Sequence, residues 1–312
     1  MTRTMDQDVP AAVAMREPLP PASLVIPSRQ RPRLLLETVT SVLAGEEVPA
    51  EIVIIDQSDA PNEALASFTS ERACQVVYQW NPGSGASRAR NQAIRAVRHD
   101  LIVFLDDDMR VAPTWYGTLM RALLDAGPRA VATGSVLPED ERASGFVPSI
   151  MADRHPAVYE GRIGEDILYL GNMVLRRSAF DEVGILDERL GGGTRFPSAE
   201  DNDLAFRLLE AGYRIHYVPE AEVYHRAWRS DDHYLPLRWS YGRGQGAFYA
   251  KHAHLRDRYM LWRLAQEIRA RTTRCLRVLP SDPRRAAGQV VSLLGVLTGF
   301  AEWLFTRRNK PV

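Results

Sequence analysis

Cysteine is almost missing from this chain. Two residues in 312, Cys74 and Cys275, stand far apart and form neither a CxxC pair nor a zinc-ligand spacing. That excludes a disulfide framework and a thiolate metal knuckle, and the usage fits a reducing compartment. Net charge is missing as well. Its 39 basic and 39 acidic residues cancel, so no global field recruits nucleic acid, and none is expected as a partner. Internal repeats are absent too, and with 45% hydrophobic and 25% charged residues the collagen-like and disordered classes drop out. What remains is a chain long enough for one large α/β domain with appendages, or two modest domains.

Long hydrophobic runs are scarce. Residues 1–21 carry acids and prolines without a sustained apolar core; they do not read as a signal peptide and are expected to form a flexible arm. A single run, AAGQVVSLLGVLTGFAEWLF at 286–305, has the length to cross hydrocarbon. Gln289, Ser292 and Glu302 interrupt it, and Arg307, Arg308 and Lys310 follow it. Trp303 and that basic trio suit a helix lying in the headgroup plane. A helix packed on the protein, one forming an oligomer, and a true span are the alternatives.

What is present is alternation. From Ala22 the apolar runs ASLVIP, EIVIID, CQVVYQW and LIVFL are separated by helix-like stretches such as PRLLLETVTSVLA and the segment from Arg88 to Val97. Short branched apolar runs between helices predict a mostly parallel central sheet with helices on both faces, an α/β, Rossmann-like arrangement. Pro27, Asp56 and the trio Asp106, Asp107 and Asp108 fall where runs stop, and ligands bind at such strand ends. From Leu137 to Leu168 the period dissolves into a predicted surface excursion. Regularity returns with YLGNMVLRR, a short helix near Ser178 to Glu182, a helix carrying Leu204 and Leu208 that Gly212 stops, and the strands RIHYVP and EAEVYH. Aromatic, basic helices are expected at 232–251 and 254–277, with the hydrophobic helix last.

The acidic trio carries the sharpest chemistry. If the strand continues through it, Asp106 and Asp108 share one side and Asp107 the other. Adjacent carboxylates repel unless a cation intervenes, and hard oxygen donors select Mg²⁺ or Mn²⁺; a solvated turn is the bland alternative. In NPGSGASRARN, residues 81–91, Gly83 and Gly85 permit close approach while Arg88 and Arg90 can meet phosphate. It is neither GxGxxG nor a P-loop, and a glycine turn with surface arginines would look the same. Asp56 can accept hydrogen bonds from a nucleobase or ribose, or merely cap its loop. In SAEDNDL, residues 198–204, Asp201 reads either as a general base or, with Ser198, as half of a capping box. Glu200, Asp201 and Asp203 together exceed what a cap needs. His225, closing EAEVYH, could complete a metal shell or be a structural histidine.

Taken in order, SLVIPSRQRPRLL, EIVIIDQSD, GASRARN, VFLDDD, GNMVLRRSAFDEVGILDE, EDNDLAFRLLEAGYRI and VPEAEVYH resemble the family 2 glycosyltransferases, over about residues 22–226. The resemblance implies a GT-A fold with C-terminal helices. It implies a nucleotide-diphosphate-sugar donor, a UDP-sugar first, held by Pro27, Ser28, Arg29, Asp56, Arg88, Asp106 and Asp107, with Arg88 a stronger correspondence than Arg90. It further implies a divalent metal on Asp108 with Asp106 and His225, Asp201 as catalytic base, and inversion at the sugar. Asp56-Gln57-Ser58 departs from the family's more frequent pair of acids after the second strand.

The resulting division is an arm (1–21), a catalytic domain (22–228, its nucleotide-sugar half 22–136 and acceptor half 137–228) and a helical extension (229–312). Within the extension WSYGRGQGAFYAKH, residues 239–252, is expected to cover an acceptor or face anionic lipid, or else to belong to a helix pair packed on the catalytic domain with its arginines in solvent. A glycan or lipid-linked acceptor, in cell-surface polysaccharide or glycolipid synthesis, is expected, with a soluble natural product as the other choice. The expected location is cytoplasmic, at the inner face of the cell membrane through residues 286–310, with homo-oligomers open. Competing readings are a nucleotidyltransferase, disfavoured because IPSRQRP has no glycine loop, and a non-catalytic sugar-nucleotide-binding protein.

Overall fold

The computed structural model describes residues 17–139, 150–226 and 231–308. Most of the predicted arm, ten residues of the excursion (140–149) and Lys310 lie outside them.

The apolar runs become strands for the reason that predicts them. β1 (Ala22–Ser28), β2 (Glu51–Asp56) and β4 (Leu101–Leu105) are buried along their whole length, so both faces are covered and no polar alternation is needed. Between them run α1 (Pro32–Leu43), α2 (Glu63–Ala66), β3 (Gln75–Trp80) and α3 (Ala86–Ala96). Pro32 opens α1, where its missing N–H costs nothing. Then come β5 (Met109–Val111), α4 (Trp115–Ala126), β6 (Ala130–Pro138), β7 (Ala157–Tyr159), β8 (Asn172–Arg176), α5 (Ser178–Val183), α6 (Glu200–Glu210) and β9 (Arg214–His225). Three helices close the chain: α7 (Tyr234–His252), α8 (Tyr259–Val278) and α9 (Pro283–Arg308).

The sheet runs β3-β2-β1-β4-β8-β6-β9-β5, with β7 against β9. Its first half is parallel, as the alternation predicts. From β4 onward β8 pairs antiparallel with both neighbours while β6 and β9 stay parallel, so the whole sheet is mixed. Successive residues feed opposite cores. Leu24, Ile52 and Val103 pack on one face with Trp115 and Leu119, and Val25, Val53 and Phe104 on the other with Leu204 and Leu208. Each such buried side chain contributes about 1.5–3 kcal/mol.

Two elements differ from the sequence reading. RIHYVP and EAEVYH form one strand, β9, whose register against β6 shifts between Gly134 and Val136. The shift carries His225 opposite Met109 of β5. The predicted excursion begins and ends in the sheet: β6 extends to Pro138, and Met151 bridges Val136.

The C-terminal helices pack onto the catalytic half instead of standing apart. Ala199 and Phe206 meet Phe248, Tyr249 and Val296, while Phe196 meets Trp303 at 5.2 Å between ring centroids. α7 and α9 cross in close contact through glycines: a Cβ on Gly246 would lie 2.0 Å from the Val296 carbonyl oxygen. α9 is long and apolar enough to cross a membrane, with mean hydropathy 1.4 over Pro283–Thr306. Yet it buries Ser292, Val296 and Trp303 against the protein and leaves Val290, Leu294, Leu297 and Phe305 exposed.

Candidate active site

A cleft of about 850 Å³ opens at the C-terminal ends of β1 and β4. The expected donor residues Pro27, Ser28 and Arg29 line it, as do Asp106, Asp107, Asp108, Asp201 and His225. Acids from distant parts of the chain therefore share one opening.

The acidic trio sits there differently from the strand argument. β4 ends at Leu105, the acids form the turn into β5, and alternation no longer sorts them. Asp106 is held by Arg90 Nη2 at 2.5 Å and by the Tyr169 hydroxyl at 3.1 Å. Asp107 accepts from Ser28 Oγ at 2.7 Å and from Arg31 Nη1 at 2.5 Å. The same Nη1 lies 2.9 Å from Asp108 Oδ2, which is also 3.5 Å from His225 Nε2. Burial pushes the Asp107 carboxyl up to about 7, against the pull of Arg31. Two guanidiniums clamp the three carboxyls of the turn, and one of them, Arg90, is shared with Glu200.

The residues present fit a divalent ion as a partial ligand set. Asp108 and His225 bring a carboxylate oxygen and an imidazole nitrogen to one place, and His225 Nδ1 is buried without a hydrogen-bond partner among the described residues. No three His, Cys, Asp or Glu side chains among those residues gather tightly enough to hold an ion alone. A hard cation that completes its shell with phosphate oxygens and water needs no more than such a pair. Asp106, expected in the set, is instead engaged by Arg90 and Tyr169.

Two expected donor contacts are placed elsewhere. Arg88 is exposed and lies 3.5 Å from Glu188, outside the cleft lining, whereas buried Arg90, one helical face away on α3, reaches into it. Asp56 is buried and already accepts from Ser58 N and Oγ and from the Tyr78 hydroxyl; its neighbour Gln57 lines the cleft in its place.

On the opposite wall, the capping box is absent. Ser198 Oγ donates to the Tyr241 carbonyl at 3.0 Å, and the α6 N-cap is Ala199 in the left-handed region, φ 68°. A non-glycine residue held there marks strain retained at a site. The three acids of the first turn then divide by task. Asp203 is fully buried and held by Lys251, His252 and Arg207, anchoring α7. Despite burial, those partners, His252 foremost, hold its carboxyl down at about 2. Glu200 meets Arg90 Nη1 at 3.2 Å. Among the described residues Asp201 accepts only from the neighbouring Asn202 N–H, and it faces the cleft. Burial, then the adjacent Glu200 charge, push it up to about 8.

The sequence reading missed Arg31 and Tyr169. IPSRQRP displayed Arg31, but only the turn from β1 into α1 shows that it spans Asp107 and Asp108. Nothing in the sequence singled out Tyr169, the first residue after the irregular excursion.

A sheet parallel on its nucleotide side, an acidic turn after β4 and an acid-headed helix across the cleft define a GT-A type α/β fold. The chain belongs to glycosyl transferase family 2, whose family model matches residues 23–184. A pre-mycofactocin glycosyltransferase of Mycobacterium tuberculosis (strain CDC 1551 / Oshkosh) is 32% identical over 222 residues, 69% of this chain and 43% of that protein. A glucosyl-dolichyl phosphate glucuronosyltransferase of Haloferax volcanii is 27% identical over 211 residues, 64% of this chain and 66% of that protein. The chain thus matches less than half the length of the mycobacterial relative. Among solved structures, a mannosyltransferase of Pyrobaculum calidifontis in complex with GDP-Man and Mn²⁺ superposes with a TM-score of 0.62 at 14% identity, over 92% of this chain and 88% of that one.

Proposed function

We propose that this chain transfers a sugar from a nucleotide-diphosphate-sugar to an acceptor hydroxyl, with inversion. The observation that carries the reading is that Asp201 and the Asp106–Asp108 turn open on one cleft, where Arg90 ties Asp106 to Glu200, the neighbour of Asp201. Pro27, Ser28, Arg29 and Gln57 line the donor end and would receive the base and ribose. UDP is the expected nucleotide, and the GDP-Man of the archaeal mannosyltransferase makes GDP the second to test.

Asp201 would take the acceptor's hydroxyl proton as that oxygen bonds to the anomeric carbon, while the carbon–oxygen bond to the diphosphate breaks and its electron pair leaves with the phosphate. One displacement inverts the centre, and no covalent sugar–enzyme step is needed. Its raised pKa gives Asp201 a high affinity for that proton near neutral pH. Asp108 and His225 would hold Mg²⁺ or Mn²⁺, which offsets the charge growing on the leaving diphosphate.

The names of the two relatives offer two acceptors to test, pre-mycofactocin and a glucosyl-dolichyl phosphate, the second carried on a lipid. The exposed apolar stripe of α9 fits a peripheral lipid contact better than a span, since its other face is occupied by α7. That contact would place the enzyme on the inner face of the cell membrane. The test is incubation with UDP- and GDP-sugars plus Mn²⁺ and both acceptor types. Asp201→Asn should abolish transfer, a loss of about 10²–10⁴-fold, while nucleotide affinity stays within about twofold of wild type. Equal transfer by the variant would remove Asp201 from this role.

A further inference from the structure

Past Asp201 the cleft continues along the C-terminal helices. Asn202 Nδ2 donates to Gln245 Oε1 at 2.8 Å, and from there the wall runs back along α7 through Tyr241 to Arg238, joined by Arg271 of α8 and Ser292 of α9. Seven residues separate Gln245 from Arg238, about two turns or ~10 Å of helix.

This wall holds cations with unmet polar atoms. Arg238 Nε and Arg271 Nη1 are both buried and lack a hydrogen-bond partner among the described residues. Arg271 spends both Nε and Nη2 on Glu267 at 2.5 Å, leaving Nη1; Arg238 stands 5.8 Å from the Tyr234 ring centroid and within salt-bridge distance of no acid among the described residues. Burial, and the like charges of Arg271 and Arg274, hold the Arg238 guanidinium below its ordinary value, with Tyr234 and Glu267 opposing. Three other guanidiniums in or beside the cleft carry acid partners: Arg90 meets Asp106 and Glu200, Arg31 meets Asp107 and Asp108, and Arg263 meets Asp166. A partly buried cation beside two others costs stability unless an anion joins it.

We infer that Arg238 and Arg271 form an oxyanion site at the acceptor end of the cleft, so that the acceptor carries a phosphate or carboxylate near the hydroxyl that receives the sugar. This rests on the transfer reading above. The end is assigned by connectivity. Arg238 is tied through α7 to Asn202 and to Ser198, whose Oγ bonds the Tyr241 carbonyl. That is the helix end bearing the proton acceptor, and a single displacement brings the acceptor from the base's side, opposite the diphosphate. Guanidinium forks bind carboxylate and phosphate oxygens in pairs. Tyr241, Gln245 and Ser292 line the same wall.

The test is calorimetry on the full chain with inorganic phosphate, glucuronate, phosphatidylglycerol vesicles and phosphatidylcholine vesicles, and separately with UDP and GDP plus Mn²⁺. Wild type, Arg238→Gln and Arg271→Gln are compared. Each variant should weaken at least one anionic probe by about tenfold, the scale of one lost charged contact, and leave nucleotide affinity within about twofold. Loss confined to phosphate or to glucuronate names the anion, and loss confined to phosphatidylglycerol vesicles names a lipid-borne one. Arg238→Gln should melt no lower than wild type, because it relieves like-charge repulsion. Unchanged binding in both variants, no binding of any anionic probe to wild type, or a parallel fall in nucleotide affinity would overturn the acceptor-end site. If wild type binds no nucleotide while the anion binding still depends on the arginines, the transfer reading fails and the oxyanion site stands.

Discussion

Arg90 Nη2 lies 2.5 Å from Asp106 Oδ1, and with its other terminal nitrogen the same guanidinium meets Glu200. One side chain on α3 thus fastens the turn after β4 to the head of α6. Both walls of the cleft are held at a fixed separation by a charge that is itself buried.

Replacing Arg90 by leucine would leave Asp106 and Glu200 uncompensated. The expected loss is about 3–5 kcal/mol, the usual cost of removing one partner of a buried ion pair, read as a lowered urea midpoint. Arg90 also draws the Asp201 pKa down, so any surviving activity should need a higher pH. A variant as stable as wild type would show that the bridge does not hold the walls.

Asp201 sets a pH dependence whose sign follows from its environment. With the carboxyl raised to about 8, the base form is scarce at neutral pH. The ratio kcat/KM should therefore climb about tenfold per pH unit below that value and level above it. The same shift bears on folding. A carboxyl whose native pKa exceeds its unfolded value stabilises fully below the unfolded value and loses that contribution as pH rises through the native one. Asp201→Asn should therefore melt higher than wild type at pH 8, by about 2 °C or more. A flat rate profile from pH 6 to 9 would contradict the assignment.

Asp108→Ala tests the cation. Nucleotide binding measured with and without Mn²⁺ should lose its metal-dependent part, roughly tenfold or more, while metal-independent binding changes little. If Mn²⁺ strengthens binding to the variant as much as to wild type, Asp108 and His225 are not its holders.

Gly246 tests the seating of the C-terminal helices. Its missing side chain lets α9 approach until a Cβ would stand 2.0 Å from the Val296 oxygen. Gly246→Val should destabilise by about 3 kcal/mol and weaken the Asn202–Gln245 link into the cleft, observable in denaturant titration. Unchanged stability would mean that the crossing is looser than its geometry indicates.

Residue type and order alone carried the nucleotide half. The runs ASLVIP, EIVIID and LIVFL are buried strands because branched apolar residues dominate them, and the acids after LIVFL had to fall at a strand end. Asp201 stood out in the sequence as one of more acids than a helix start requires, and it lines the cleft. The sequence could not show which acid faces where. Spacing argued for Asp106 beside Asp108, yet the strand ends at Leu105, before the trio, and the turn gives Asp106 to Arg90 while Asp107 and Asp108 share Arg31.

Local pattern therefore determined the strands, the helices and the inventory of acids, since those depend on hydrophobic period and on neighbours close in the chain. Only the tertiary structure decided that Arg90 enters the cleft while Arg88 stays in solvent, that Asp56 is spent on Ser58 and Tyr78, and that α7 and α8 bring Arg238 and Arg271 to the same opening. Pairings between groups a hundred residues apart are set by how layers stack and how close helices approach, and one-dimensional spacing has no term for either.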